Sequence, residues 1–224
     1  MNVETAKLHL ETSKLMGVNF LPVGFEATPT ENDSNSNIDK QALLEQLCAT
    51  HESSCPLCTA PNHTKAVFGS GNPGASLLFI GDSPNVEEVQ RGIPFVGETG
   101  EKLDQIIQAI GFNRDDVYIS NVIKSRLEDD RAPLPTEIEQ CGTFLQKQIE
   151  IIEPAVIVTL GSVATKYILN TNDDISRLRG QWGEFRTIPV LPTFHPAFLL
   201  RYYTTENRQQ VWNDMQKVIS KLGQ

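Results

Sequence analysis

The stretch that most constrains the fold runs from Ser76 to Gly100, SLLFIGDSPNVEEVQRGIPFVGETG. Ser76 to Gly81 is an apolar run without a breaker, the pattern of a strand buried on both faces. It stops at Gly81-Asp82-Ser83-Pro84-Asn85, where Gly81 lets a ligand approach the backbone and Pro84 keeps the strand from continuing. A polar turn at the carboxyl end of a buried parallel strand is where open α/β sheets place their ligands. Pro94-Phe95-Val96-Gly97 follows, with an aromatic held between Pro and Gly, and a helix is expected over Glu101 to Ile110. A strand-turn-helix unit of this kind occurs in any doubly wound domain, so its meaning depends on what the rest of the chain brings to it.

The rest of the chain repeats the pattern. Asp116 to Asn121 (DVYISN), Ala155 to Leu160 (AVIVTL) and Ile188 to Pro192 read as three further strands. A long helix is expected over Thr136 to Ile152, capped by Thr136 with Glu139 completing a capping box, and with Ile138, Cys141, Leu145, Ile149 and Ile152 on one face. Gly161 turns into a helix ending at Leu169, and a last helix spans about Glu206 to Leu222. Four strands separated by helices predict an α/β fold, a three-layer α/β/α arrangement with a small four-stranded parallel sheet. The carboxyl ends of the first, second and fourth strands carry Asp82 to Asn85, Asn121 and Thr193-Phe194-His195-Pro196. In a parallel sheet these ends share one edge, and their polar residues converge on one pocket.

Composition adds exclusions. The chain has 224 residues, 39% of them apolar, enough for one sizeable core. No apolar run approaches the ~20 residues of a membrane span. The N-terminus lacks a basic-then-apolar leader, so a cytoplasmic protein is expected. A formal net charge of −9 argues against broad, non-specific nucleic-acid binding. It leaves room for a local phosphate-binding rim from Lys124, Arg126, Arg131, Arg177, Arg179 and Arg201, all read as loop residues near the motif edge. Residues 1 to 37, a modest amphipathic helix followed by the polar stretch ATPTENDSNSN, read as an appendage, and 38 to 224 as the domain. Within the domain, Asp39 is expected to cap a helix through Cys48, with Leu43, Leu44 and Leu47 on one face.

Four cysteines remain: Cys48, Cys55, Cys58 and Cys141. In a cytoplasmic protein they are not expected to form structural disulfides. Cys55-Pro56-Leu57-Cys58 reads as a metal or iron–sulfur half-site, or as ordinary unligated cysteines. A thioredoxin-like redox pair is disfavoured because no strand precedes it.

Taken together, GDSPN, GIPFVG, VYISNVIKSR, DRAP and TFHPAFLLR, in this order, resemble the iron–sulfur, family-4 uracil-DNA glycosylases from about Ser54 to the C-terminus. The resemblance implies that Phe95 stacks on a flipped base, Asn121 reads it and His195 is the second-motif histidine. Gly81, Ser83 and Asn85 would line the substrate pocket, with Asp82 positioning the attacking water. Arg131 falls in the family's Asn-or-Asp-Arg-x-Pro loop. Leu199, Leu200 and Arg201 would form the wedge that fills the gap left by the flipped base. The family's four cluster ligands fall on Cys55, Cys58, Ser125 and Cys141, implying a 4Fe–4S cofactor with serine at one position.

The chain departs from the family in three places. Asp82 stands where the family has Glu, Asn85 where it has Gly, and Ser125 where it has Cys. The reading is therefore a monomeric DNA-repair enzyme hydrolysing the N-glycosidic bond of uracil in DNA. The departures raise two alternatives: a lesion-binding or partner-binding module with a degenerate pocket, and a glycosylase for another deaminated base.

Overall fold

The computed structural model describes residues 31–59 and 65–223. The expected N-terminal helix and residues 27–30 of the stretch assigned to a linker lie outside these residues; residues 31–37 of that stretch are helical, which corrects the linker expectation there. The helix expected from Asp39 is longer: α1 spans Glu31–Ser54, followed by the short α2, Pro56–Thr59. Its buried face is Leu44, Leu47 and His51, at helical spacing, and it leads to Cys55; Leu43 is 51% exposed, off the expected face.

The sheet has six strands, not four, in the order β1-β3-β2-β4-β6-β5. The central four are the strands expected from sequence: β2 (Leu77–Gly81), β3 (Tyr118–Asn121), β4 (Val156–Leu160) and β6 (Ile188–Thr193). All neighbouring pairs among them are parallel. The correction lies at the edges, where β1 (Ser70–Gly71) and β5 (Gly183–Phe185) pair antiparallel. Two- and three-residue edge strands bury little and carry no period, so composition alone reads them as Gly-containing loops.

Side chains alternate across the sheet as the strand period requires. Leu77 and Phe79 of β2, Val156 and Val158 of β4 and Leu191 of β6 join one core. That core is closed by α4 (Gly97–Ala109) and α9 (Thr205–Leu222). Leu78, Ile80, Ile157 and Val190 join the other, closed by α5 (Pro135–Ile152) and α6 (Ser162–Leu169). This is the expected three-layer arrangement. The remaining helices are short: α3 (Val86–Arg91), α7 (Ile175–Leu178) and α8 (Pro196–Arg201).

Helix α5 starts differently from expectation. Pro135 takes the first helical position, and the Glu137 carboxylate accepts from Leu134 N–H at 2.7 Å while pairing with Arg131. Thr136 and Glu139 are not the cap, because a proline is best accommodated at the first helical position and thereby sets the start. Among the described residues no helix is long and apolar enough to cross a membrane.

Candidate active site

The carboxyl ends of β2, β3 and β6 do share one edge, and the pocket residues meet there. Gly81 and Asn121 are register partners. A Cβ placed on Gly81 would lie 2.5 Å from Phe95 Cζ and closer still to Asn121 Oδ1, so a side chain at this position would push into both. Asn121 is 1% exposed, and among the described residues neither its Oδ1 nor its Nδ2 has a hydrogen-bond partner. A buried amide left unpaired costs about 1–3 kcal/mol, so such a group calls for an explanation. A ligand carrying an adjacent donor and acceptor would satisfy both atoms at once.

Phe95 is held from behind. Its backbone is left-handed, with φ 52°, which is unfavourable for a bulky residue. Its N–H donates to Glu88 Oε1 at 2.6 Å. The other Glu88 oxygen accepts from Asn85 N–H at 2.7 Å, and Asn85 Oδ1 accepts from Glu88 N–H at 2.9 Å, a capping box that starts α3. Burial pushes the Glu88 carboxyl upward, against the pull of these two N–H donors. Glu88 was not anticipated, although the Asn-x-x-Glu spacing is a helix-start signature legible in sequence. Asn85, expected to line the pocket, has its side-chain oxygen engaged as a helix cap instead. Ser83 lies half-buried in the bend between β2 and α3.

Asp82 and His195 flank Gly161. A Cβ on Gly161 would meet His195 Cβ at 3.2 Å and Asp82 Oδ2 at 3.4 Å, and φ there is +92°, so the turn from β4 into α6 admits the two side chains only because the residue is glycine. Asp82 Oδ1 accepts from Ala164 N–H at 3.0 Å, in the first turn of α6. Burial pushes the Asp82 carboxyl up to about 6, opposed by the N–H groups of Ala164 and Val163. Burial pulls the His195 imidazole down to about 4, so the ring is neutral near pH 7. Its Nδ1 accepts from Ala197 N–H at 3.2 Å, which leaves the proton on Nε2 as a donor. The Phe95 and His195 rings lie 5.4 Å apart. The surface hollow beside Trp182, lined also by Thr187, Pro189 and Lys221, shares no residue with this constellation.

Three other expectations are corrected. Leu199 is fully buried in the core beneath α8 and cannot act as an exposed wedge; Leu200, 39% exposed, and the exposed Arg201 follow it on the same helix. Lys124 is not on a rim. It is fully buried, its ammonium donating to Ser120 Oγ at 2.6 Å, Asn121 O at 2.7 Å and Gln148 Oε1. Burial pulls that ammonium down to about 7. Arg179 is bound inward by the buried Asp214, which also accepts from Thr193 Oγ1 at 2.7 Å. A basic residue in a loop reads as solvent-facing from sequence, and the buried acceptors that reverse this lie far away along the chain. Arg131 stays exposed and is paired with Glu137.

On the opposite face of the sheet, Cys55, Cys141 and His51 are all fully buried. Their ligand atoms lie within 4.8 Å of one another, with His51 Nε2 at 3.5 Å from Cys141 Sγ. Lys124 N–H donates to Cys141 Sγ at 3.2 Å. Contact with Cys55, with burial added, pushes the Cys141 thiol upward, and burial pulls His51 down to about 4. The side chain of Cys58 lies outside the described residues, one helical turn after Cys55. Ser125 is buried, 3% exposed. Two buried thiols and a buried imidazole form a soft donor set suited to iron–sulfur or zinc chemistry, so the residues present fit a metal group. His51 was missed by sequence reasoning. The available signal was its place on the helical face that also carries Leu44 and Leu47, four residues before Cys55.

The family model for the uracil DNA glycosylase superfamily matches residues 68–216. A type-4 uracil-DNA glycosylase of Thermotoga maritima is 41% identical over 74% of this chain and 86% of its own length. One from Archaeoglobus fulgidus is 38% identical over 76% of this chain and 89% of its own, and one from Sulfurisphaera tokodaii is 40% identical over 69% and 74%.

Proposed function

The chain belongs to the uracil DNA glycosylase superfamily, and from that premise we propose that it hydrolyses the N-glycosidic bond of uracil in DNA, leaving an abasic site. The observation that carries the reading is the buried Asn121 amide, with both polar atoms unpaired beside Phe95 and Gly81.

The base must leave the helical stack to reach this pocket. Phe95 stacks on the flipped ring, an interaction worth ~1–3 kcal/mol per base. Asn121 Oδ1 accepts from uracil N3–H and Nδ2 donates to O4. Cytosine presents an acceptor at N3 and a donor at N4, the reverse order. Discrimination then arises because a mismatched base leaves buried polar groups unpaired.

In the reaction the C1′–N1 bond breaks and its electron pair stays with the base, while the sugar becomes cation-like. His195 Nε2–H faces the developing negative charge on the uracil, a donor typically worth ~3–4 kcal/mol of barrier. The neutral state of the ring suits this role, since a proton is donated as a hydrogen bond and not transferred. Asp82, ionised above about pH 6, favours the cationic sugar and orients the water that attacks C1′. The water's proton passes to Asp82 and on to solvent. One methylene is missing relative to the family's Glu, and the Ala164 N–H fixes the shorter carboxylate in place. Leu200 and Arg201 enter the gap in the duplex, with Leu199 anchoring their helix from below.

Cys55, Cys58 and Cys141 would hold an iron–sulfur cluster of the 4Fe–4S type, which would tie the start of α2 to α5. No step of the hydrolysis uses it. The domain boundary near residue 38, the cytoplasmic location and the monomeric state belong to the same proposal. Nothing observed favours the lesion-binding or partner-binding alternative or the other deaminated base. The test is direct: purified protein is incubated with single- and double-stranded oligonucleotides carrying one uracil, and alkali-labile abasic sites are counted. Strand scission at the uracil position is expected; intact strands after prolonged incubation with excess protein would refute the activity.

A further inference from the structure

We infer that His51 is a metal ligand of the buried cysteine site, taking through Nε2 the coordination position at which this chain has Ser125 in place of a thiol. The inference rests on the reading that the cysteines hold a metal.

Three observations carry it. A His51 ring nitrogen is within 4.8 Å of both the Cys55 and Cys141 sulfurs, and Nε2 stands 3.5 Å from the latter. Tetrahedral ligands of one metal ion at bond lengths of about 2.0–2.3 Å stand roughly 3.3–3.8 Å apart, so this pair already has the spacing of two ligands on a single ion. The ring is also positioned by more than chance packing: it sits edge-on to Phe144, with centroids 4.7 Å apart and an interplanar angle of 85°, and 5.6 Å from Phe68. His51 O accepts from Cys55 N–H at 2.9 Å, so the backbone that fixes one ligand fixes the next.

Donor chemistry decides between the two candidates for the remaining position. Iron in thiolate-bound centres accepts imidazole nitrogen readily, and histidine replaces cysteine on one iron in a known class of iron–sulfur centre. A serine oxygen binds soft metals poorly by comparison. An imidazole is neutral where a thiolate is negative, so the complete set, His51 with Cys55, Cys58 and Cys141, carries one negative charge fewer than four thiolates. In a buried site that difference favours a cluster with a higher reduction potential than an all-cysteine one.

The experiment uses the full-length protein isolated without oxygen, together with His51→Cys, His51→Ala and Ser125→Ala. Iron content of the wild type reads the cluster proposal by itself. Pulsed electron paramagnetic resonance of the reduced, iron-loaded protein reads His51. The expected result is a nitrogen hyperfine coupling in the wild type and in Ser125→Ala that is absent from His51→Cys, which keeps its iron through the substituted thiolate. No such coupling in iron-loaded wild type, or its persistence in His51→Cys, would overturn the assignment. Should the protein take up no iron, the cluster proposal falls and His51 is read with Co2+ alone. Loss of an outer-sphere partner weakens metal binding about 10–100-fold, and loss of a ligand is expected to reach at least the top of that range in His51→Ala. Equal Co2+ affinities in wild type and His51→Ala would sink the inference.

Discussion

The pocket at the sheet edge and the cysteine cluster beyond it are both buried and polar, and they are built on opposite terms. In the pocket, the polar and aromatic groups are held by their neighbours but left incomplete: Glu88 fixes the Phe95 backbone and Ala164 fixes Asp82, yet the Asn121 amide has no partner among the described residues. In the cluster the donor atoms face each other, within 4.8 Å. An incomplete site awaits a ligand that comes and goes, whereas a site closed on itself suits a group that stays. Lys124 joins the two, its ammonium on the Asn121 carbonyl and its N–H on the Cys141 sulfur. On the proposed reading, the part of this chain that serves turnover is separable from the part that would hold a metal.

That separation can be broken most sharply at Asp82. Asp82→Asn should cut single-turnover uracil excision by about 10²–10⁴-fold, the range for a positioned acid–base group. It should also stabilise the protein above pH 6. The sign follows from the raised pKa: burial lifts the carboxyl from its ordinary 3.8 to about 6, so its unfavourable contribution is absent below about pH 4 and complete above about 6. The wild-type rate should fall as pH drops through 6, while His195, neutral down to about 4, adds no limb above pH 5. A rate flat from pH 7.5 to 5 would remove Asp82 from the chemistry.

His195→Ala should slow the chemical step about 10²–10³-fold, as loss of one preorganised donor does, with little change in binding to uracil-containing DNA. Lost binding with an unchanged rate would move His195 from the leaving group to the DNA backbone.

The cysteine region should answer differently. Cys55→Ser is expected to lower the melting temperature by about 5–10 °C, corresponding to ~2–3 kcal/mol in a domain of this size. Excision at a permissive temperature should stay within about tenfold of wild type. A catalytic defect as deep as that of Asp82→Asn in a protein of unchanged melting temperature would erase the distinction between the two regions.

The smallest effect is expected at the wedge. Leu200→Ala should reduce excision a few-fold from duplex and leave the single-strand rate unchanged, because only a duplex has a gap to fill. Equal losses on both substrates would assign Leu200 to packing.

Legibility in the sequence followed the same divide. The four central strands and the edge holding Asp82, Asn121 and His195 could be read because each is an apolar run ending at a polar turn, a local signal. The antiparallel edges could not, being too short to show a period. Asn85 drew attention as a departure at a pocket position, but its Asn-x-x-Glu spacing with Glu88 is what the structure uses. Lys124 and Leu199 were misplaced because charge and position in a motif say little about burial. Lys124 turns inward toward Gln148, and Leu199 lies under its own helix. His51 carried no motif at all. Its role depends on α1 bringing it against Cys141, 90 residues away, a contact that no local pattern encodes.

The central claim, that the orphaned Asn121 amide is the base-reading group, is tested most directly by single-turnover excision on matched oligonucleotides carrying uracil or cytosine at one position. Wild type should cleave the uracil strand and leave the cytosine strand intact. Asn121→Asp replaces the donor with an acceptor-only carboxylate that can take the cytosine N4–H, so uracil excision should fall about 10²-fold or more while discrimination against cytosine narrows. Asn121→Asp and Asn121→Ala proteins that both excise uracil within a few-fold of wild type, with selectivity unchanged, would contradict the account.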